Sequence, residues 1–104
     1  MQFFFCADTR KPKDKQTARK PAKFVCQETQ QAWTLESEKL VIGRRSGCHV
    51  KLNSEQVAPL HCSLNYDKGD WVLISLTNKY KTLLNGNPVY GTKLTSGDII
   101  TIGD

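Results

Sequence analysis

The sequence has little of what would hold a metal ion or cross a membrane. No apolar run among its 104 residues approaches the ~20 residues that a membrane-spanning helix requires. No charged segment followed by an apolar one marks secretion, so we expect a reduced intracellular compartment and no membrane partner. The cysteines are few and none stands in a Cys-x-x-Cys pair, which argues against a zinc or redox motif. They are Cys6, Cys26, Cys48 and Cys62.

Catalytic and metal-binding groupings are also scarce. No motif places a serine, a cysteine or a carboxylate beside His61, so the sequence predicts no enzyme and no catalytic residue. The pairs Cys48-His49 and His61-Cys62 contain zinc-ligand residue types, but neighbouring residues of a strand point to opposite faces. We therefore expect no metal site and no cofactor, and interpret the cysteines as small buried hydrophobic residues.

The positive charge is concentrated at the start of the chain. Residues 1–23 contain seven lysines and arginines against two aspartates, which accounts for the whole formal net charge of +5. We divide the chain into an apolar strand with a basic loop, residues 1–23, and a globular domain, residues 24–104. The segment 10–23 is the only candidate for nucleic-acid contact, because its cations would release counterions from phosphates. It lacks interleaved aromatic residues for base stacking, so a solvated loop is the preferred interpretation.

Short apolar or alternating runs separated by turn residues predict an all-β fold. The spacing of these runs is typical of a sandwich or barrel. Asp67-Lys68-Gly69-Asp70 and Asn85-Gly86-Asn87-Pro88 predict two hairpin turns, because they place Gly or Asn where a positive φ is needed. The predicted strands are residues 1–7, 23–27, 31–35, 39–43, 50–52, 61–66, 71–76, 82–84, 89–90 and 99–102.

Three consecutive aromatic residues, Phe3, Phe4 and Phe5, stand in the first predicted strand. Such residues alternate between the two faces of a strand, and a single sandwich rarely covers both faces of its edge. We expect this strand at a sheet edge, and all three phenylalanines are candidates for a self-association surface.

Several ordered motifs carry a family resemblance. They are Gly43-Arg44, the Ala58-Pro59-Leu60-His61 element, the turn Asn85-Gly86, and the closing run Gly97-Asp98-Ile99-Ile100-Thr101-Ile102-Gly103. In this order they resemble a forkhead-associated (FHA) domain over about residues 24–104. The resemblance implies a β-sandwich of about eleven short strands in two sheets, whose end loops bind a phosphothreonine peptide. The family's last strand would start near Asp104, so it is either missing or supplied by another segment.

The resemblance also assigns roles to individual residues. Arg44 matches the arginine that contacts the phosphate, with Lys79 and Lys81 as further phosphate-binding candidates. Ala58 stands where the family has its phosphate-binding serine, and Tyr80 where it has the asparagine that holds the ligand backbone. The pocket is therefore expected to be degenerate. Gly43, His61, Asn85 and Gly86 are expected to be structural, His61 as a hydrogen-bonded brace of the binding loop.

Three functions follow from this resemblance. The first is a protein-interaction module of a nuclear DNA-damage or chromatin scaffold, forming homodimers or docking proteins without normal phosphothreonine binding. The second is a phosphothreonine reader that uses Arg44 and the nearby lysines. The third is a cytoplasmic FHA-like assembly domain of a bacterial type III secretion basal body. The Val-Ala-Pro-Leu-His spelling also resembles those domains, which likewise lack the serine.

Overall fold

The computed structural model describes residues 1–7, 22–35 and 38–103, and these residues form eleven strands and no helix. Accordingly, the described part contains no helix long and apolar enough to cross a membrane. The expectations for residues 8–21 lie outside the described residues. The strands are β1 (Gln2–Ala7), β2 (Ala22–Cys26), β3 (Ala32–Thr34), β4 (Lys39–Gly43), β5 (Val50–Lys51), β6 (Cys62–Asp67), β7 (Asp70–Ser75), β8 (Thr82–Leu84), β9 (Asn87–Pro88), β10 (Gly91–Lys93) and β11 (Ile99–Ile102).

The strands form two sheets. The first sheet has six strands in the order β3-β2-β1-β11-β8-β9, and the second has five in the order β10-β7-β6-β4-β5. All neighbours are antiparallel except β4 and β5, which are parallel. The predicted all-β sandwich of about eleven short strands in two sheets is confirmed. The predicted strand 89–90 is wrong, because β9 ends at Pro88 and β10 begins at Gly91.

The core lies between the sheets and is built by alternation along the strands. In β7, Trp71 and Leu73 are buried, whereas Val72 between them is half-buried and the following Ile74 is exposed. In the first sheet the Phe3 and Phe24 rings stack at 4.5 Å between centroids, with Trp33 tilted against both. Burying such large aromatic side chains is the main source of stability in a sandwich of this size.

The N-terminal strand β1 lies in the middle of its sheet, so its predicted position at an edge is wrong. Phe3 is paired with Cys26 of β2 on one side and with Ile100 of β11 on the other. The N-terminal segment therefore occupies the position beside β11, so the neighbour of that strand is supplied by another segment of the chain. Because β1 has neighbours on both sides, it exposes no free backbone edge along the paired residues.

The burial of β1 also corrects the prediction for its phenylalanines. Phe3 and Phe5 are 0% and 1% exposed, whereas Phe4 is 37% exposed. Alternation sends the first two into the core, where the second sheet covers them. Phe3 and Phe5 therefore offer no surface for self-association in the folded chain, and only Phe4 of the three is accessible.

The two predicted hairpin turns are present. Asn85 and Gly86 connect β8 to β9 with φ values of 51° and 88°, and Lys68 and Gly69 connect β6 to β7 with 49° and 91°. Asn85 also accepts the backbone N–H of Ile99 at 2.9 Å through its side-chain oxygen. This bond ties the turn to β11, consistent with the structural role predicted for Asn85 and Gly86.

Candidate functional site

Three loops meet at one end of the sandwich. They are residues 44–49 between β4 and β5, residues 52–61 between β5 and β6, and residues 76–81 between β7 and β8; together we call them the loop cluster. Backbone hydrogen bonds join the first loop to the second, since Arg44 N–H donates to Ala58 O at 3.0 Å and Arg45 N–H to Pro59 O at 3.1 Å. The arginine side chains are exposed.

His61 joins the second loop to the third. Its ring is fully buried, its Nδ1 accepts the Ala58 N–H at 3.1 Å, and its Nε2 lies 3.1 Å from the carbonyl oxygen of Lys81. Because a carbonyl can only accept, the geometry assigns the proton to Nε2 of a neutral ring. Burial lowers the pKa of His61, and the bond to Lys81 opposes this in part. The predicted bracing role of His61 agrees with this geometry.

Gly43 allows the first two loops to approach each other. A Cβ built on Gly43 would lie 2.3 Å from the carbonyl oxygen of Pro59, well inside contact distance. The close approach puts Arg44 and Arg45 in register with the 58–59 backbone. Any side chain at position 43 would push these loops apart, so the close approach requires glycine there.

Ala58 offers no side-chain donor to a ligand. It is 5% exposed, and both of its backbone polar groups are already engaged, the N–H by His61 and the carbonyl by Arg44. The methyl group cannot make a hydrogen bond. Position 58, to which the resemblance assigns a phosphate-binding serine, therefore offers a ligand no side-chain hydrogen bond and no unpaired backbone group.

Tyr80 packs over the histidine brace. Its ring is stacked on that of His61 with 6.3 Å between centroids and 26° between planes. The Lys79 Nζ lies 5.4 Å from the Tyr80 centroid, within the range of a cation–π contact. Tyr80 therefore contributes a packed aromatic surface where the resemblance expects an amide.

A basic groove with a volume of about 180 Å³ opens beside Tyr80. Lys79 and Lys81 supply its exposed cationic side chains. Gln56 and Gly103 complete the lining, and sequence reasoning missed both. No motif contains Gln56, and Gly103 ends the closing motif without any sign that it would line a groove, because the two residues are far apart in the chain and meet only in the fold. An anion entering this groove would meet flexible point charges rather than a fixed fork of donors.

The cysteine and histidine pairs do not form a metal centre. Among the described residues, no three His, Cys, Asp or Glu side chains are grouped to hold a metal ion. His49 instead accepts the Val41 N–H at 2.9 Å, and the Cys48 thiol lies 3.4 Å from Pro59 O. Cys62 is fully buried, and burial raises the pKa of its thiol far above the ordinary range. Cys62 is therefore an unreactive core residue.

Solved structures with this fold come from distant organisms. EmbR of Mycobacterium tuberculosis, solved in complex with a low-affinity phosphopeptide, is 20% identical with a TM-score of 0.77, covering 81% of this chain and 22% of EmbR. The chain thus spans about a fifth of EmbR's length. The FHA domain of a hypothetical Arabidopsis thaliana protein is 20% identical with a TM-score of 0.68, covering 99% of this chain and 76% of that one.

A third structure extends the similarity further. The FHA domain of the Chlamydia trachomatis protein CT664 is 10% identical with a TM-score of 0.65, covering 99% of this chain and 90% of that one. At such identities the similarity shows the fold. No curated protein sequence matches significantly. The model of the FHA domain family matches residues 40–103, which include the loop cluster and all four ordered motifs. The chain therefore belongs to the FHA domain family of protein-interaction modules.

Proposed function

We propose that this FHA domain is a protein-interaction module that does not use the family's phosphothreonine pocket and acts by dimerisation or docking. The observation that carries the proposal is Ala58, which is buried, has no hydroxyl and has both backbone groups engaged within the fold. Tyr80, packed on His61, removes the second polar contact. The setting we propose is a nuclear scaffold of DNA-damage or chromatin signalling.

The lost contacts are large compared with the affinity at stake. A hydrogen bond to a charged group contributes about 1.5 to 3 kcal/mol, so two lost contacts remove roughly 3 to 6 kcal/mol. Micromolar binding corresponds to only about 8 kcal/mol. Arg44 still offers its guanidinium donors, whereas the exposed lysines add only point charges, so the remaining ~2 to 5 kcal/mol corresponds to an affinity of about 0.1 mM or weaker for a phosphothreonine peptide.

A peptide titration tests this part of the proposal. Calorimetry with a phosphothreonine peptide library should detect no saturable binding to the natural chain. The variant Ala58→Ser/Tyr80→Asn restores both polar side chains and should gain binding, with the unphosphorylated library as control. Saturable binding by the natural chain, lost in Arg44→Ala, would overturn the proposal.

The exposed apolar side chains supply a candidate self-association surface. Ile74 and Leu76 are two residues apart and lie on the same face by alternation. Two backbone bonds bring Tyr90 and the neighbour of Leu60 close to them, since Ser75 N–H donates to Tyr90 O at 2.7 Å and Leu76 N–H donates to His61 O at 2.9 Å. We propose that all four side chains share one face. Because these four residues are all exposed, we call Leu60, Ile74, Leu76 and Tyr90 the apolar patch. A second copy of the chain is the occupant we propose.

Light scattering after size-exclusion chromatography tests dimerisation. The natural chain should elute as a dimer, and Ile74→Lys/Leu76→Lys should give a folded monomer, because two desolvated charges oppose burial of the patch. Phe4→Ser removes an exposed aromatic residue from the other sheet and should leave the dimer intact. A monomeric natural chain at the highest concentration tested would contradict the proposal.

A second candidate function is a phosphopeptide reader of altered geometry. The groove lined by Lys79 and Lys81 favours it, because it places two exposed cations beside Gln56 of the loop 52–61, and the backbone of that loop is bonded to Arg44. This function predicts affinity that falls steeply with salt, since unpaired surface charges are screened. A bacterial assembly domain remains a third prediction and shares the expected absence of phosphothreonine binding, differing in its protein partners.

A further inference from the structure

Strand β1 contacts the rest of the domain as a bound peptide would. Its backbone pairs with β2 at five positions, from Phe3 with Cys26 to Ala7 with Ala22. On the other side it pairs with β11, and beyond the ladder Phe5 N–H donates to Asp98 O at 3.0 Å while Gly97 N–H donates to Phe5 O at 2.8 Å. The backbone groups of an extended segment are thus satisfied on both sides, as in β-strand addition.

Two side chains anchor this segment. Phe3 and Phe5 are fully buried, and Phe3 stacks on Phe24 of the neighbouring strand. The intervening Phe4 lies on the outer face and is more than one third exposed. Recognition of the segment therefore rests on bulky apolar residues at alternate positions, which is how strand-accepting grooves obtain specificity.

The covalent connection between β1 and β2 is much longer than their geometry requires. Ala7 and Ala22 are direct partners, so a loop of about 2 to 5 residues would join them. The sequence instead places 14 residues between them, with Pro12, Pro21 and six of the chain's cations. Fully extended, such a connection reaches roughly 50 Å. A connection of this length does not dictate the register of β1, which is defined by its pairing with β2 and β11.

We infer that the groove between β2 and β11 is a strand-binding site whose resident ligand is the chain's own N-terminal segment, and that it accepts the same segment from a second copy. A tether of this kind gives an effective concentration of the order of mM, so the intact chain fills its own groove in dilute solution. Severing the tether removes this advantage and makes the strand exchangeable. The inference is independent of the proposed function, which concerns the opposite sheet and the loop cluster.

The test uses the full chain with a specific protease site inserted within residues 8–21. The chain is prepared in unlabelled and ¹⁵N-labelled form, cleaved, mixed and examined by native mass spectrometry. We expect the cleaved N-terminal fragment to stay bound. Within hours, complexes should appear in which a ¹⁵N-labelled C-terminal fragment holds an unlabelled β1 fragment. The control uses uncleaved Ile74→Lys/Leu76→Lys chains, which do not dimerise through the apolar patch, and their mixture should contain no mixed species at micromolar concentration.

Competing peptides of residues 1–7 test the side-chain requirement. The natural peptide and its Phe4→Ser variant should displace the resident fragment with affinities within about threefold of each other, since Phe4 lies outside the core. The Phe3→Ser/Phe5→Ser peptide should bind at least ~100-fold more weakly, because it loses both buried anchors.

Three results would overturn the inference. The first is a cleaved fragment that never exchanges, and the second is equal competition by the Phe3→Ser/Phe5→Ser peptide. The third is a cleaved chain that unfolds and is not restored by excess natural peptide. None of these depends on phosphopeptide binding or on the apolar patch, so the inference and the proposed function fail separately.

Discussion

His61 Nε2 lies 3.1 Å from the carbonyl oxygen of Lys81, across 20 residues of sequence, and this contact joins the strand-end loop after β7 to the loop before β6. The other ring nitrogen accepts the N–H of Ala58, and the carbonyl oxygen of Ala58 accepts the N–H of Arg44. One buried neutral ring thus positions all three loops of the cluster. This brace requires neither a serine at position 58 nor an asparagine at position 80.

Replacing His61 should weaken the fold. In His61→Leu the Ala58 N–H and the Lys81 carbonyl lose their partner, and an unsatisfied buried polar group costs about 1 to 3 kcal/mol. We expect a total loss of roughly 2 to 5 kcal/mol, measured by urea unfolding. The matched control is His49→Leu, which removes one partly solvated bond to Val41 and should cost less than about 1 kcal/mol. Equal losses in both variants would contradict the bracing role.

The stability should depend on pH through His61. Its folded-state pKa is lowered from the ordinary 6.5, chiefly by burial. Between these two pKa values the unfolded chain binds a proton that the folded chain does not. The free energy of unfolding is therefore highest above pH 6.5 and falls as the pH is lowered towards the folded-state pKa.

Urea unfolding of the natural chain and of His61→Gln at several pH values between about 5 and 8 checks this expectation. The natural chain should lose stability on the acidic side, and the variant should not. Glu28, whose pKa is lowered by a hydrogen bond from the Gln2 N–H, acts only below its ordinary value of 4.5 and lies outside this window. Parallel curves for the two chains would exclude His61 as the titrating group.

Adding one methyl group at Gly43 should disturb the loop cluster. The Cβ of Gly43→Ala meets the Pro59 carbonyl oxygen at 2.3 Å, so the backbone must shift. Overpacking of this kind lowers the free energy of unfolding by roughly 1 to 3 kcal/mol. Gly47→Ala, in the same loop, meets nothing within 4 Å and should be neutral. Thermal unfolding of both variants distinguishes a local clash from a general intolerance of the loop.

Replacing a buried and an exposed phenylalanine of β1 should have different effects on stability. Phe5→Ala removes a fully buried ring and should cost about 3 to 5 kcal/mol, which is enough to unfold a marginal domain. Phe4→Ala should cost less than about 1 kcal/mol, because the ring already contacts solvent. Circular dichroism during urea unfolding gives both values. A large loss in Phe4→Ala would mean that another surface covers this residue.

Much of the fold followed from local pattern. Predicted strands 39–43, 82–84 and 99–102 coincide with β4, β8 and β11, because alternation and flanking turn residues determine where such strands begin and end. The strand predicted at 89–90 is absent, since an apolar pair next to Pro88 can connect two strands as well as form one. Within the site, motif order alone pointed to Arg44, Ala58 and Tyr80. Gln56 carries no local signal, and Gly103 belongs to the closing motif but was not expected to line the groove.

The sequence by itself determined that the chain is an all-β domain with the ordered FHA motifs, and that neighbouring phenylalanines of its first strand face opposite ways. Only the tertiary structure decided that this strand lies between β2 and β11 rather than at an edge, and hence which phenylalanines are core. The physical reason is that alternation is a property of one strand, whereas strand order depends on pairing between distant segments. Phe3 and Ile100 become neighbours through backbone hydrogen bonds that any sequence can form.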